Sequence, residues 1–154
     1  MNIRFISQKL AENLTAVDNA IIISITNSTE LAKLDKNWGD RRLNLIFDDV
    51  DAPGSHTLMY KSGPIEIPYI LFNEDMARMI INFVQSISGK GIKTIIVHCW
   101  AGISRSAAVA KFLAENLKAQ FPDKYMLYNK LVYRILCETL QKIKEEKFKE
   151  ELGK

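Results

Sequence analysis

The segment from Asn19 to Thr26 limits the fold more than any other. It contains AIIISIT, a run of β-branched and apolar residues broken by one serine. Such a run reads as a buried strand. A second strand is predicted over Arg42 to Phe47, where RLNLIF alternates polar with apolar residues. Thr94 to Val97 is a third short apolar run with strand character. Helical signals fall around these strands. Ser7 is a good N-cap for a helix to about Ala16. Asn73 caps a second helix, with Glu74 and Asp75 in its first turn and Met76, Met79, Ile80, Phe83, Val84 and Ile87 on one face. Gly89 and Gly91 stop it. A third helix is predicted from Ala107 to about Lys118, and a last one carries Leu131, Val132, Ile135, Leu136, Leu140 and Ile143 on one stripe. Strands alternating with helices predict an α/β fold, with a central, mainly parallel sheet flanked by helices. A chain of 154 residues is expected to form one domain, 1–154, around one sizeable core.

Two stretches break the pattern. Asn27 to Asp40 is polar and reads as loop with a short helix. Asp48 to Leu71 is punctuated by Pro53, Gly54, Gly63, Pro64 and Pro68, which predicts a long loop or excursion. Loops of that length in a compact domain are uncommon and often functional.

Composition narrows the function classes. The formal charge of +3 is a mild excess and no nucleic-acid signature. Near the C-terminus Lys142, Lys144, Lys147 and Lys149 alternate with glutamates, as on a solvated helix face. Residues 1–10 lack the apolar core of a signal peptide, and Ala20 to Ile23 is too short to span a bilayer. The two cysteines, Cys99 and Cys137, do not make a disulfide framework, and a reducing cytoplasm is the expected compartment. Two histidines and two cysteines offer little for a metal cluster, so neither metal nor cofactor is expected. No nucleic-acid or membrane partner is expected, and the chain should be a monomer.

The chemistry sits in Thr94 to Ala110, TIIVHCWAGISRSAAVA: a strand, then Cys-x5-Arg, then a helix. A loop from a strand end to a helix start turns its backbone N–H groups inward and forms an anion nest. Trp100, Ala101, Gly102, Ile103 and Ser104 supply those donors, and Arg105 at the helix opening can grip two phosphate oxygens. Cys99 lies at the bottom of this cradle. The helix dipole and Arg105 favour its thiolate, and such settings lower a cysteine pKa to roughly 3.5–7.5. A thiolate beneath a bound phosphate is placed for in-line attack, giving a cysteinyl-phosphate. The Ser106 hydroxyl can hydrogen-bond the sulfur and help the thiolate leave. His98 is expected to bond the loop backbone rather than act as a base.

His98-Cys99-x5-Arg105-Ser106 resembles the signature of the protein tyrosine phosphatase superfamily. The wording HCWAGISRSAA is similar to the dual-specificity branch and its compact bacterial tyrosine-phosphatase relatives. The resemblance implies a phosphatase P-loop between a strand and a helix. It further implies hydrolysis of phosphotyrosine, with phosphoserine and phosphothreonine accepted by a shallower cleft, on a phosphorylated protein or peptide. It also implies a general-acid aspartate upstream, after the strand preceding the long helix. LNLIFDDVDAP offers Asp48, Asp49 and Asp51 there. Alignment by the strand end favours Asp49, with Asp48 as the alternative; the acid would protonate the leaving oxygen and then activate water. The gap from Asp49 to Cys99 is longer than in compact family members, and the surplus falls in the Asp51 to Leu71 segment, as a recognition loop, a hairpin or a mobile cover.

Other readings stand beside this one. A phosphatase of a non-protein phosphate, such as a phosphoinositide or an RNA 5′ end, would call for extra cations, and the loop from Trp100 to Ser104 has none. A catalytically silent phosphate-binding module would need only the cradle. Low-molecular-weight tyrosine phosphatases carry their loop near the N-terminus with the acid downstream, the reverse of this order. Among single residues, Cys137 reads as a packing residue and His56 as a solvated loop histidine, while Trp38 and Tyr60 are aromatic candidates for substrate contact.

Overall fold

The computed structural model describes residues 1–27 and 30–153. In chain order the elements are β1 (Asn2–Ser7), α1 (Gln8–Glu12), β2 (Ala20–Thr26), a 3-10 helix (Lys36–Arg41), β3 (Arg42–Ile46), β4 (Ser55–Tyr60), β5 (Gly63–Pro68), α2 (Glu74–Ser86), β6 (Thr94–Cys99), α3 (Arg105–Asn116) and α4 (Lys130–Leu152). The chain is an α/β fold with a four-stranded, all-parallel sheet in the order β1-β6-β2-β3. β4 and β5 form a separate antiparallel hairpin.

The continuous apolar run in β2 follows from burial on both faces. Ile21, Ile23 and Ile25 pack with Ile95 and Val97 of β6 under α2, α3 and α4. Ala20 and Ile22 point the other way, with Ile96, Ile6, Ala11 and Trp38. Residues of one strand alternate between faces, so a sheet covered on both sides needs no polar alternation. Trp38 is 1% exposed within that second layer, which removes it from any substrate contact.

β1 is a strand beyond the expected elements. Ile3 and Phe5 alternate with Asn2 and Arg4, the period of an edge strand half-covered by helices. It pairs in parallel with β6 from Asn2↔Thr94 to Ser7↔Cys99. Ser7 does cap α1, accepting from the Leu10 N–H at 3.2 Å, but the helix ends at Glu12 rather than Ala16. Asn13 terminates it by donating its side-chain amide to the Lys9 carbonyl. The polar stretch Asn27 to Asp40 holds the 3-10 helix; residues 28 and 29 of it lie outside the described residues.

Asn73 caps α2 as expected, accepting from the Met76 N–H. Its buried face is centred on Ala77, Ile80 and Ile81, flanked by Met76, Phe83, Val84 and Ile87, and Met79 is turned to solvent. Ile81 takes the place expected of Met79 because the contact stripe runs one residue further round the helix. Gly89 and Gly91 follow with φ of +78° and +74°. α4 buries Val132, Leu136 and Thr139 against α2 and α3. Of the forms expected for the segment from Asp48 to Leu71, the structure shows the hairpin, β4–β5, over most of it. No helix among the described residues is long and apolar enough to cross a membrane.

Candidate active site

In a parallel sheet the strand ends with free loops gather at one edge, and crevices form outside the carboxyl ends of the strands. Here β6 ends at Cys99 between β1 and β2, and β3 runs out into Phe47, Asp48 and Asp49 on the same edge. The cysteine loop and the aspartates, distant in sequence, meet there.

Cys99 is 2% exposed, and its Sγ lies 3.1 Å from the Ser106 Oγ. Burial pushes the thiol up. Hydrogen bonds from the Ser106 hydroxyl and N–H, the Arg105 charge and the Gly102 N–H outweigh that penalty, and the pKa lies below the ordinary thiol value. The helix α3 starts at Arg105, two residues before the expected Ala107, so Arg105 and Ser106 belong to its first turn. Ser104 is its N-cap residue but gives no side-chain cap, because its hydroxyl donates to Asp49 Oδ1 at 2.8 Å. The first-turn N–H groups are thereby left to the cysteine loop, the arrangement that binds anions at helix starts.

Arg105 is 5% exposed. One terminal nitrogen donates to the Phe47 carbonyl at 2.9 Å, which ties the helix to the end of β3. Its Nε is buried with no hydrogen-bond partner among the described residues. No carboxylate forms an ion pair with it among those residues. A buried guanidinium with an unpaired donor is costly in isolation and calls for an anion beside it.

The loop is held at three points. Gly102 has φ of +71°, and a Cβ there would lie 2.4 Å from both the Ile6 carbonyl carbon and the Ser7 nitrogen. Only glycine lets the loop approach the β1–α1 junction so closely. The Gln8 N–H donates to the Trp100 carbonyl, and the Tyr125 hydroxyl donates to the Ile103 carbonyl. Ala101 lies between these supports. Trp100 and Ile103 themselves point outward, 70% and 46% exposed.

The two candidate acids have different surroundings. Asp48 is buried; its Oδ1 lies 3.1 Å from His56 Nε2, and its Oδ2 accepts the Ile70 N–H at 2.7 Å. It closes the root of the hairpin. Asp49 is exposed and turned to the cysteine loop, its Oδ1 accepting from Ser104 Oγ and from Asn129 Nδ2 at 2.9 Å. Asp49, Val50, Asp51, Ser104, Tyr128, Asn129 and Lys130 line one groove beside the loop.

Tertiary contacts set the surroundings of three further residues. His98 sits on the face of β6 opposite Cys99, fully buried, and its Nε2 bonds Ser24 Oγ of β2 at 2.6 Å. Strand alternation sends neighbouring side chains to opposite faces, so His98 cannot share the face that Cys99 uses. Burial drives its pKa down to about 4, against the opposing influence of the Cys99 backbone beside the ring. His56 is exposed, as expected of a solvated histidine, but it lies on β4 rather than in a loop, where it bonds Asp48 and meets the Tyr69 ring edge-on at 4.6 Å. Asn129 is the residue the motif does not announce. It caps α4 through Val132 N–H, takes the Ser104 carbonyl on its own N–H, and donates its amide to Asp49 and to the Val50 carbonyl. An asparagine before a helical stripe signals the cap; nothing local signals a partner 80 positions away.

Cys137 lies half-covered on α4, where burial raises its thiol. Among the described residues no group of three His, Cys, Asp or Glu side chains is placed to hold a metal ion. No family model matches the chain, and no curated protein sequence matches it.

Proposed function

We propose that this protein is a cysteine-dependent phosphatase that hydrolyses phosphotyrosine, and phosphoserine or phosphothreonine where the cleft admits them, through a cysteinyl-phosphate. The observation that carries the reading is the pair formed by Cys99 and Arg105. A buried thiol below its ordinary pKa lies at the start of a helix whose buried arginine has an unpaired Nε. A phosphate dianion satisfies both requirements of that pair. It takes the free guanidinium donor and the loop N–H groups, and it presents phosphorus to the sulfur.

In this mechanism Cys99 Sγ attacks phosphorus in line, the phosphorus–oxygen bond of the ester breaks, and Asp49 gives its proton to the departing oxygen. The carboxylate then accepts a proton from water as that water attacks the phosphocysteine. The sulfur leaves as a thiolate that receives the Ser106 hydroxyl bond, and inorganic phosphate departs. Asp49 suits the acid role because it is exposed, faces the loop through Ser104, and keeps Oδ2 clear of the two bonds made by Oδ1. Asp48 has both oxygens engaged at the hairpin root. The P-loop of this reading is Cys99 to Arg105, with Trp100, Ala101, Gly102, Ile103 and Ser104 supplying the backbone donors.

The test is hydrolysis of a small aryl phosphate across pH by the wild type, Cys99→Ser, Asp49→Asn and Asp48→Asn, with phosphotyrosine and phosphoserine peptides alongside. Cys99→Ser should lose turnover by on the order of 10⁴-fold or more, as removal of a nucleophile does elsewhere. Asp49→Asn should remove the basic limb of the pH profile and Asp48→Asn should keep it. Binding of phosphate or vanadate by a wild type that turns nothing over would replace the enzyme with a phosphate-binding module.

A further inference from the structure

The β4–β5 hairpin is rooted beside the site and has one open edge. Its register runs from Ser55↔Pro68 to Tyr60↔Gly63 around the two-residue turn Lys61-Ser62. In an antiparallel pair, hydrogen-bonded and non-bonded pairs alternate, and the residues flanking a two-residue turn are a bonded pair. Tyr60–Gly63, Leu58–Ile65 and His56–Ile67 therefore carry the ladder. Ser55, Thr57 and Met59 turn their N–H and C=O groups away from β5, and Pro64, Glu66 and Pro68 turn theirs away from β4.

The two outer edges are not equivalent. On β5, two of the three outward positions are prolines, which have no N–H to donate, and this is how natural edge strands are blocked. On β4 all three outward residues have both groups, and among the described residues no backbone bond joins them to another element. One face of the hairpin is apolar, with Leu58, Tyr60, Ile65 and Ile67 between 40% and 54% exposed. The hairpin springs from Asp48, whose N–H and carboxylate both bond Ile70, and the next residue, Asp49, reaches Ser104 of the cysteine loop.

We propose that the outer edge of β4 pairs with an extended stretch of the substrate polypeptide, adding a third strand to the hairpin while the phosphorylated residue occupies the Cys99 loop. The inference rests on the phosphatase reading and names its substrate as a protein segment. Alternating donors and acceptors at strand spacing are matched by an extended polypeptide and not by a lipid or a sugar. The apolar face supplies Leu58 and Tyr60 as neighbours for alternate apolar side chains of the bound strand, and the proline-blocked edge leaves one side for docking. A six-residue strand is about 20 Å long, within reach of a peptide that begins at the hairpin root.

The test uses the whole chain, a small aryl phosphate, and a phosphotyrosine peptide of about eleven residues, long enough at ~3.3 Å per residue to span β4. Two further peptides carry backbone N-methyl groups on alternate residues, one of each parity. Methylation of the parity that faces β4 should lower peptide kcat/KM by at least about tenfold, the loss expected for two or three hydrogen bonds, and the other parity far less. Thr57→Pro, which removes one outward N–H, should lower the ratio of peptide to aryl-phosphate kcat/KM. Equal effects of both parities overturn the proposal, whether or not Thr57→Pro folds. So does a dimer that Thr57→Pro dissolves while the ratio stays unchanged, since a second copy then occupies the edge. If the wild type hydrolyses neither substrate, the phosphatase reading falls on its own. The anisotropy of labelled peptides then compares the two parities, and equal affinities overturn the docking edge.

Discussion

Replacing Gly102 with alanine tests the packing that holds the cysteine loop in place. The new Cβ would stand 2.4 Å from the Ile6 carbonyl carbon and the Ser7 nitrogen and 2.8 Å from the Ile6 oxygen. These are backbone atoms of β1, which is paired to β6, so they cannot swing aside as a side chain would. Ordinary contact begins near 3.4 Å, so the loop must retreat by about 1 Å, which breaks the 3.2 Å bond from Gln8 N–H to the Trp100 carbonyl. A left-handed φ costs a residue with a Cβ about 1–2 kcal/mol. Overpacking a tight contact adds about 1–3 kcal/mol. The sum, about 2–5 kcal/mol, is a large part of a typical domain stability of about 5–15 kcal/mol. Gly91→Ala separates the two contributions, because Gly91 has φ of +74° and nothing within 4 Å of the new atom. It should lose about 1–2 kcal/mol, the backbone part alone. Urea unfolding monitored by fluorescence measures both. The retreat also withdraws the Gly102 N–H that helps lower the Cys99 thiol, so the pH profile of iodoacetamide alkylation should move to higher pH. If Gly102→Ala and Gly91→Ala lose equal stability and the alkylation profile is unmoved, the close approach does not constrain the loop.

Other expectations follow from the same contacts. Asn129→Ala removes the α4 cap and the amide bond to Asp49; stability should fall by about 1–2 kcal/mol and aryl-phosphate kcat should drop, whereas Asn129→Asp should restore the cap in urea unfolding but not kcat. Ser24→Ala strands the buried His98 Nε2 and should cost about 1–3 kcal/mol by the same assay. His98 has its pKa depressed to about 4, so the unfolded chain binds its proton first. Stability due to the neutral imidazole is complete above about pH 6.5 and is lost as pH falls towards 4, by about 3 kcal/mol. Urea midpoints measured from pH 7 to 4 should decline accordingly, and His98→Asn should flatten that limb; an equal decline in both proteins would assign it to carboxylates.

The strands β2, β3 and β6 and two helix caps were legible in the sequence itself, for local reasons. AIIISIT can be satisfied only by burial, Ser7 and Asn73 mark helix starts through their own hydroxyl or amide, and Cys-x5-Arg between a strand and a helix places a thiol under a helix N-terminus. β1 was not among the expected strands: Ile3 and Phe5 alternate with polar residues, but the signal is short. The meeting of Asp49, Ser104 and Asn129 was not, because it depends on which strand ends share one edge of the sheet, and each pairing spans tens of residues. Likewise, the separate settings of Asp48 and Asp49 arise from the Asp48–Ile70 closure, which a string of adjacent aspartates does not express. Local sequence encodes periodicity, capping and turns; which side chains meet across the sheet edge is settled when the strands take their order and the helices cover them.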